Sequence, residues 1–533
     1  MLNYLATPLL AATRGAFQEP PADVRAMLCD QLRFALENYY VHLPQKRAGF
    51  AIDPVQALTL LRNSDGTNFS RRLLSIVASL RDRHTTLQLA PPWTDMVAYV
   101  PFLLEQYHEN GVPHYIVTKR FFGFEEIPLG VEVTHWNGVP IGLYLENLAE
   151  ETQGAHWSAQ MRLALSNLTV RPLAYMLRPS EDWVTLTYLD GRGGFSAAST
   201  PWRCCAMPAQ PPSSPMMGAA AMPASAMAQG LDRKLLATGT FLRDAASGGR
   251  GGTGGGAGGA LTPSQSGFVT QGPFRYGRVP TPAGDAAYLR IFTFETDNAA
   301  QFAAAIAGIL ATLPQDRLLI DIRANPGGNI LAGQKLVALL AGGRSPAMAP
   351  IDFRNTPQTQ ALTTVASLAP WHASIRMQTS TGLGYSQAFS ITSLDDLPAY
   401  RYPGSMALII DALSYSTSDF FAADFTDNGL GIVIGTDPLT GAGGANVWSW
   451  DVLSTLSGLV GIPIGPLPPG YGLNLSLRRA LRTGVSAGIP IEDVGVPASI
   501  VHQLTKADIL DENRDLLAFA GAVLAECPRR FQA

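Results

Sequence analysis

The chain has 533 residues, enough for two to four domains with sizeable cores. Hydrophobic residues make up 47% and charged ones 15%, and the net charge of −4 provides no basic footprint for nucleic acid. Four cysteines without C-x-x-C spacing exclude a disulfide scaffold and a Cys-based zinc site.

The start, "MLNYLATPLLAATRGAF", has a short apolar patch whose first basic residue, Arg14, follows it, so a signal peptide is not expected. No run of 18 or more apolar residues occurs, and a membrane span is not expected either. The compartment stays open, with the cytoplasm favoured over export.

Residues 20–90 read as helical, because "PADVRAMLCDQLRFALENYY" and "SRRLLSIVASLRDRH" carry apolar residues at i, i+3/i+4 and i+7. His84 stands at the end of the second helix, in "SLRDRHTTLQL"; taken alone, such a histidine is a solvent-facing C-terminal cap. Residues 96–200 change to strand-like runs, "HYIVTKR", "GVEVTHWNGVPI" and "DWVTLTYLDG", separated by Gly and Pro turns. "HENGVPH" (108–114) has the wrong spacing for two ligands on one helical face, so no metal is expected.

Residues 206–266 are rich in Gly, Ala, Pro and Ser and cannot bury enough apolar surface to offset chain entropy. We expect a mostly disordered insert with one short helix near 231–243, open to self-cleavage or occlusion. The G-x-G-x-x-G at Gly254, Gly256 and Gly259 follows no strand, so no dinucleotide or other cofactor is expected.

Beyond the insert the pattern alternates strand and helix: "AAYLRIFTF", "NAAQFAAAIAGILATL", "DRLLIDIR", "NILAGQKLVALLAGG", "SMALIID", "STSDFFAADFTDN" and "GLGIVIGT". Crossover units of this kind predict an α/β core with a largely parallel sheet buried on both faces. Two junctions stand out. In "ALSYSTSDFF" a serine before the helix is either an N-cap or a nucleophile beside the helix dipole. In "IDIRANPGGN", Gly327 and Gly328 permit a turn whose N–H points outward, as an oxyanion donor must. "GVSAG" (484–488) fits G-x-S-x-G but lacks a strand before and a helix after, so Ser486 reads as a loop serine.

Taken together, "IDIRANPGG", "SYSTSDFFAADFTDNGLGIVIGTDPLTGAGG" and "PIEDVGVPASIVHQLTKADI" resemble the catalytic core of the C-terminal processing (tail-specific) serine peptidases, over roughly 285–520. The resemblance implies a crotonase/ClpP-like β-α-β spiral core, Ser416 as nucleophile, and Thr417 with Gly327 or Gly328 as oxyanion donors. Family members with a Ser–Lys dyad carry a lysine in a G-K-G turn, whereas this chain has Ala442 there and no lysine between Lys335 and Lys506. The "LRDRH" segment instead resembles the histidine motif of a Ser–His–Glu branch, the chlamydial protease-like activity factor group and, more distantly, tricorn-type peptidases. That implies His84 as base and Glu492 as its acid. Asp493 is the rival, and in a strand only one of the two could face His84.

The resulting division is 1–95 (helical, carrying His84), 96–205 (resembling a PDZ-like domain that holds an extended peptide), 206–270 (insert) and 271–533 (catalytic core). The implied activity is that of a serine endopeptidase acting on proteins or peptides through an acyl-enzyme, without cofactor and with a homodimer left open. Activity should rise through neutral pH if His84 keeps its reference pKa of about 6.5. The alternatives are a non-catalytic peptide- or ligand-binding protein of the same fold and, more distantly, a crotonase-like acyl-CoA enzyme.

Overall fold

The computed structural model describes residues 7–13, 18–120, 124–206, 267–391 and 394–527. The expected insert, its helix near 231–243 and its glycine motif lie outside the described residues, apart from the flanking strands.

The main sheet has seven strands in the order Val269–Gln271, Phe274–Val279, Ala286–Ile291, Arg317–Asp321, Ser405–Ile410, Ile432–Gly435 and Ile500–Val501. From Ala286 onward every pairing is parallel, with Leu319 opposite Ala407 and Ile409 opposite Ile434. Both faces are covered, which explains why these strands are continuously apolar instead of alternating. On one face lie Ala299–Ala311, Ile330–Leu340 and Thr417–Asp427; on the other, Arg514–Glu526 sets Leu516, Ala520 and Leu524 against Leu319 and Ala407. Asn298 and Asn329 cap the two crossover helices, accepting from Gln301 N (2.9 Å) and Leu331 N (2.9 Å).

The N-terminal segment forms helices Ala22–Asn38, Leu43–Phe50, Pro54–Arg62 and Phe69–Ser79. They have no core of their own: Leu28, Leu32, Leu36, Leu73 and Val77 join one cluster with Leu336, Phe421 and Leu473. Strand Thr86–Gln88 adds to a second sheet through Gly472–Ala480, pairing Thr86 with Asn474. His84 therefore does not end a helix, as expected from the pattern. The helix stops at Ser79, and His84 occupies the turn that leads into this strand, tied to the far side of the core.

Residues 96–206 build a six-stranded antiparallel sheet and share a small four-stranded sheet with Thr7–Pro8. They also contain two helices that strand periodicity hid, Ile141–Glu150 and Trp157–Thr169, whose apolar faces fill this unit's separate core. The unit is bolted to the main sheet by Arg162 on Asp437 (2.9 Å) and by His156 Nε2 at Thr440 O (2.7 Å).

Candidate active site

Three serines crowd the turn between Ser405–Ile410 and Thr417–Asp427, and their surroundings separate them. Ser414 is buried and donates to Ile322 O (2.9 Å) and to the Asp411 carboxylate (3.0 Å); Ser418 is buried and donates to Asn325 O (3.0 Å). Ser416 is partly exposed, and its hydroxyl makes no capping bond although it occupies the N-cap position. Its backbone sits at φ 61°, ψ −120°. A non-glycine residue there stores about 1–3 kcal/mol of strain, and a sharp strand-to-helix turn of this kind projects the side chain outward.

The turn is over-determined from below. Tyr415 N donates to Asn325 O (2.9 Å), and Asp411 accepts from Ala324 N (2.8 Å) and Leu413 N (3.1 Å). The strand-end D-x-R proves structural: Asp321 accepts from Arg323 (2.7 Å), Arg290 (2.8 Å) and Tyr288 (2.8 Å), and these partners outweigh burial to hold its carboxyl well below the usual range.

Gly327 (φ 101°) and Gly328 (φ 138°) occupy backbone conformations open to glycine. A Cβ on Gly327 would lie 2.6 Å from Ser416 Cβ and 2.7 Å from Thr417 N, so the turn must be glycine to approach Ser416. Gly327 N already donates to Asn325 Oδ1 (2.9 Å). The bridge to Phe294 uses Gly327 O and Asn329 N, not the N–H of Gly328, which makes Gly328 the better-placed donor of the two. Thr417 Oγ1 donates to Gly328 O (2.7 Å) and fixes the two segments together.

His84 lies against this turn, its ring 4.6 Å from that of Tyr415, the residue before Ser416. Its backbone N donates to Asp82 Oδ1 (2.8 Å), while Asp82 Oδ2 accepts from Thr85 (2.7 Å) and Ser476 (2.8 Å). Both ring nitrogens are buried and lack a hydrogen-bond partner among the described residues. Burial, helped by Arg83 and Lys46 and opposed by Asp82, lowers the His84 pKa to about 4. The reference value of about 6.5 assumed from sequence therefore does not apply.

Glu492 is fully buried 408 residues along the chain from His84, but its carboxylate faces other groups. Oε1 accepts from Lys46 Nζ (2.8 Å), and Oε2 from Gly444 N (3.3 Å), with His42 Nε2 at 3.9 Å. Asp493 also pairs with Lys46 and accepts from Gln45 (2.8 Å). Residues 491–494 form a turn, with Asp493 at φ 68°, and not the expected strand, so both carboxylates reach one lysine. Burial and the neighbouring Asp82 and Asp493 push the Glu492 carboxyl well up against the pull of Lys46. Burial alone would lower Lys46, yet the three carboxylates raise it.

The structure thus gathers Ser416, Thr417, Gly327, Gly328 and His84 around one turn and sets Glu492 in an adjoining buried cluster. Lys46, His42 and Asp82 belong to that cluster and were not picked out from sequence. The scarcity of lysine was the available signal for Lys46, which lies wholly buried. Ser486 sits in a one-turn 3-10 helix, Gly484–Ser486. His108 and His114 lie on paired strands beside Gln106 and Glu132 respectively. A cavity of about 700 Å³ opens between the two units next to the site, lined by Arg83, Leu104, Arg162, Ala324, Pro326 and Leu413.

Residues 285–456 match the family model for peptidase family S41. No curated protein sequence matches the chain. Among solved structures, mature CPAF complexed with lactacystin is similar at a TM-score of 0.67 and 16% identity, over 95% of this chain and 98% of that one. Mature CPAF alone gives a TM-score of 0.66 and 17% identity, over 93% and 96% respectively. At these identities the likeness shows a shared fold.

Proposed function

We propose that this chain, whose residues 285–456 match the peptidase family S41 model, is a serine endopeptidase with Ser416 as nucleophile, His84 as general base and Glu492 as the acid. The single observation that carries this reading is Ser416 itself. It is the one serine of the three that is not fully buried, strained at φ 61°, free of a capping bond, and set between Gly327 and the Tyr415 residue on which His84 packs.

In the proposed reaction Ser416 Oγ attacks the substrate carbonyl while His84 takes its proton, and the N–H groups of Gly328 and Thr417 receive the oxyanion. His84 then returns the proton to the leaving amine, and water hydrolyses the acyl-enzyme. Glu492 accepts from the second imidazole nitrogen and stabilises the imidazolium. Both His84 bonds form as substrate closes the site, a tightening familiar in free enzymes. No metal or cofactor enters these steps.

The same reading assigns 271–533 to a crotonase-like spiral catalytic core, 1–95 to a segment that delivers His84, 96–205 to a PDZ-like unit and 206–270 to an insert. Strand Phe102–Glu109 ends the six-stranded sheet and contributes Leu103 to Gln106 to the cavity wall. An extended protein or peptide segment added to that edge would run toward Ser416.

Labelling with a fluorophosphonate serine probe tests the assignment. Modification mapped to Ser416 in wild type, and lost in Ser416→Ala and His84→Ala, is expected; equal labelling in His84→Ala, or none in folded wild type, overturns it. One observation favours a second reading, a non-catalytic peptide-binding protein of the same fold: Glu492 is held by Lys46 while both His84 nitrogens stand unbonded. Unlabelled but peptide-binding protein is the result it requires.

A further inference from the structure

The cluster beneath the site contains more negative charge and more unbonded imidazole than the proposed triad uses. His42 is fully buried, and both its ring nitrogens lack a hydrogen-bond partner among the described residues. Nε2 points at Glu492 Oε2 from 3.9 Å, and one ligand atom each from His42, Asp82 and Glu492 lies within 4.8 Å of the others. Tetrahedral zinc, with bonds of about 2.0–2.2 Å, separates its ligand atoms by about 3.3 Å, so a closure of about 1.5 Å or less brings all three into range.

Charge supports the same conclusion. Asp82, Glu492 and Asp493 bring three carboxylates against the single ammonium of Lys46. Arg479, whose charge also acts on His42, is paired with Asp352 at 2.9 Å, and Arg83 lies over the Tyr415 ring. A divalent cation would relieve this crowding of carboxylates. Lys46 occupies Oε1 of Glu492 and leaves Oε2 toward His42, while Thr85 and Ser476 hold the Asp82 carboxylate in place as outer-shell donors do at metal sites.

We propose that His42, Asp82 and Glu492 form a binding site for one divalent transition-metal ion of the zinc class, which inhibits the enzyme by claiming the acid of the triad. An imidazole beside two carboxylates suits zinc or cobalt, whereas calcium seeks six to eight oxygens. A water completes the coordination. The binding claim stands on the cluster alone; the inhibition rests on the peptidase reading.

Calorimetric titration of the purified full chain with zinc or cobalt should show one ion bound per chain, with calcium silent. Folding verified by circular dichroism, His42→Asn and Glu492→Gln should each weaken binding at least about tenfold, the loss seen even for outer-shell partners. His114→Asn, which removes one partner of Glu132, should leave it unchanged. Should His42→Asn not fold, the visible absorption of the wild-type cobalt form reports tetrahedral nitrogen and oxygen ligation directly. Absence of stoichiometric binding, or wild-type affinity in folded His42→Asn, overturns the site. Fluorophosphonate labelling of Ser416 should fall with zinc and return with chelator; labelling indifferent to bound ion overturns the inhibition. If the ion binds while Ser416 never labels under any condition, the site stands and the peptidase reading fails.

Discussion

Acidification should leave Ser416 reactive well below the pH at which an ordinary histidine base stops working. His84 is only 3% exposed, and its burial, with Arg83 and Lys46 nearby, lowers its pKa from 6.5 to about 4. At pH 5 an imidazole of pKa 6.5 is about 3% neutral, whereas one of pKa 4 is about 90% neutral, so the base should lose only about a tenth of its working form. The shift also bears on stability. The unfolded chain takes up the proton that folded His84 refuses between pH 6.5 and 4, so His84's contribution is complete above pH 6.5 and disappears as pH falls through that window, by about 3 kcal/mol at 1.36 kcal/mol per unit. Asp82, itself lowered to about 2 by His42, Lys46 and His84 against its own burial, stays charged throughout. The assay is the rate of fluorophosphonate labelling of Ser416 from pH 4 to 8, which needs no known substrate. Tyr415→Ala, which uncovers the ring packed 4.6 Å from His84, should move the midpoint upward toward 6.5. A wild-type midpoint between 6 and 7 refutes the argument.

Three other substitutions probe the same architecture. Lys46→Met removes the cation bonded to buried Glu492 and half-buried Asp493 and should destabilise the protein by about 3–5 kcal/mol, with Lys46→Met/Glu492→Gln recovering most of it; urea midpoints within about 1 kcal/mol of wild type would contradict this. Gly327→Ala places a Cβ 2.6 Å from Ser416 Cβ and 2.7 Å from both Tyr415 O and Thr417 N, at φ 101°; it should abolish Ser416 labelling, and retained labelling at the wild-type rate would show that the turn yields. Arg162→Ala frees Asp437, whose Oδ2 accepts from Ala412 N (3.0 Å) in the turn that presents Ser416; labelling should slow severalfold with the far-UV spectrum preserved, and an unchanged rate would show that the β-rich unit does not set that turn.

The sequence revealed the main sheet wherever burial on two faces made a strand continuously apolar, as in Leu318–Ile320 and Met406–Ile410, and the crossover helices wherever asparagine capped an apolar repeat. Helices Ile141–Glu150 and Trp157–Thr169 were missed because flanking strands with strong β-branched signals set the expectation for the whole stretch. The strain at Ser416 could not be read at all, since φ 61° is imposed by Tyr415 N on Asn325 O and by Ser414 on Ile322 O, contacts 90 or more positions apart in the chain. For the same reason the buried cluster was illegible: Lys46, Asp82 and Glu492 meet only because Val41 N bonds Ser476 O and Ser476 bonds Asp82, tying the N-terminal segment to strand Gly472–Ala480.

The missing lysine and the placement of His84 are one structural fact seen from two sides. Ala442, where the resemblance places the lysine of a Ser–Lys dyad, is fully buried at φ 64°, and Asp419 clamps its N–H (3.0 Å) and that of Gly443 (2.8 Å). The Tyr415 ring fills the space above: a Cβ on Gly441 would lie 2.7 Å from it, and one on Gly443 would collide with it. A lysine side chain in that loop would have to displace the ring or bury its ammonium beside Asp419, whose carboxyl burial already pushes up to about 6. With that approach to Ser416 closed by Tyr415, the base we propose is His84, whose ring packs 4.6 Å from that of Tyr415. The lysine this chain does keep nearby, Lys46, faces the carboxylates and not the serine, donating to Glu492 where both side chains are fully buried.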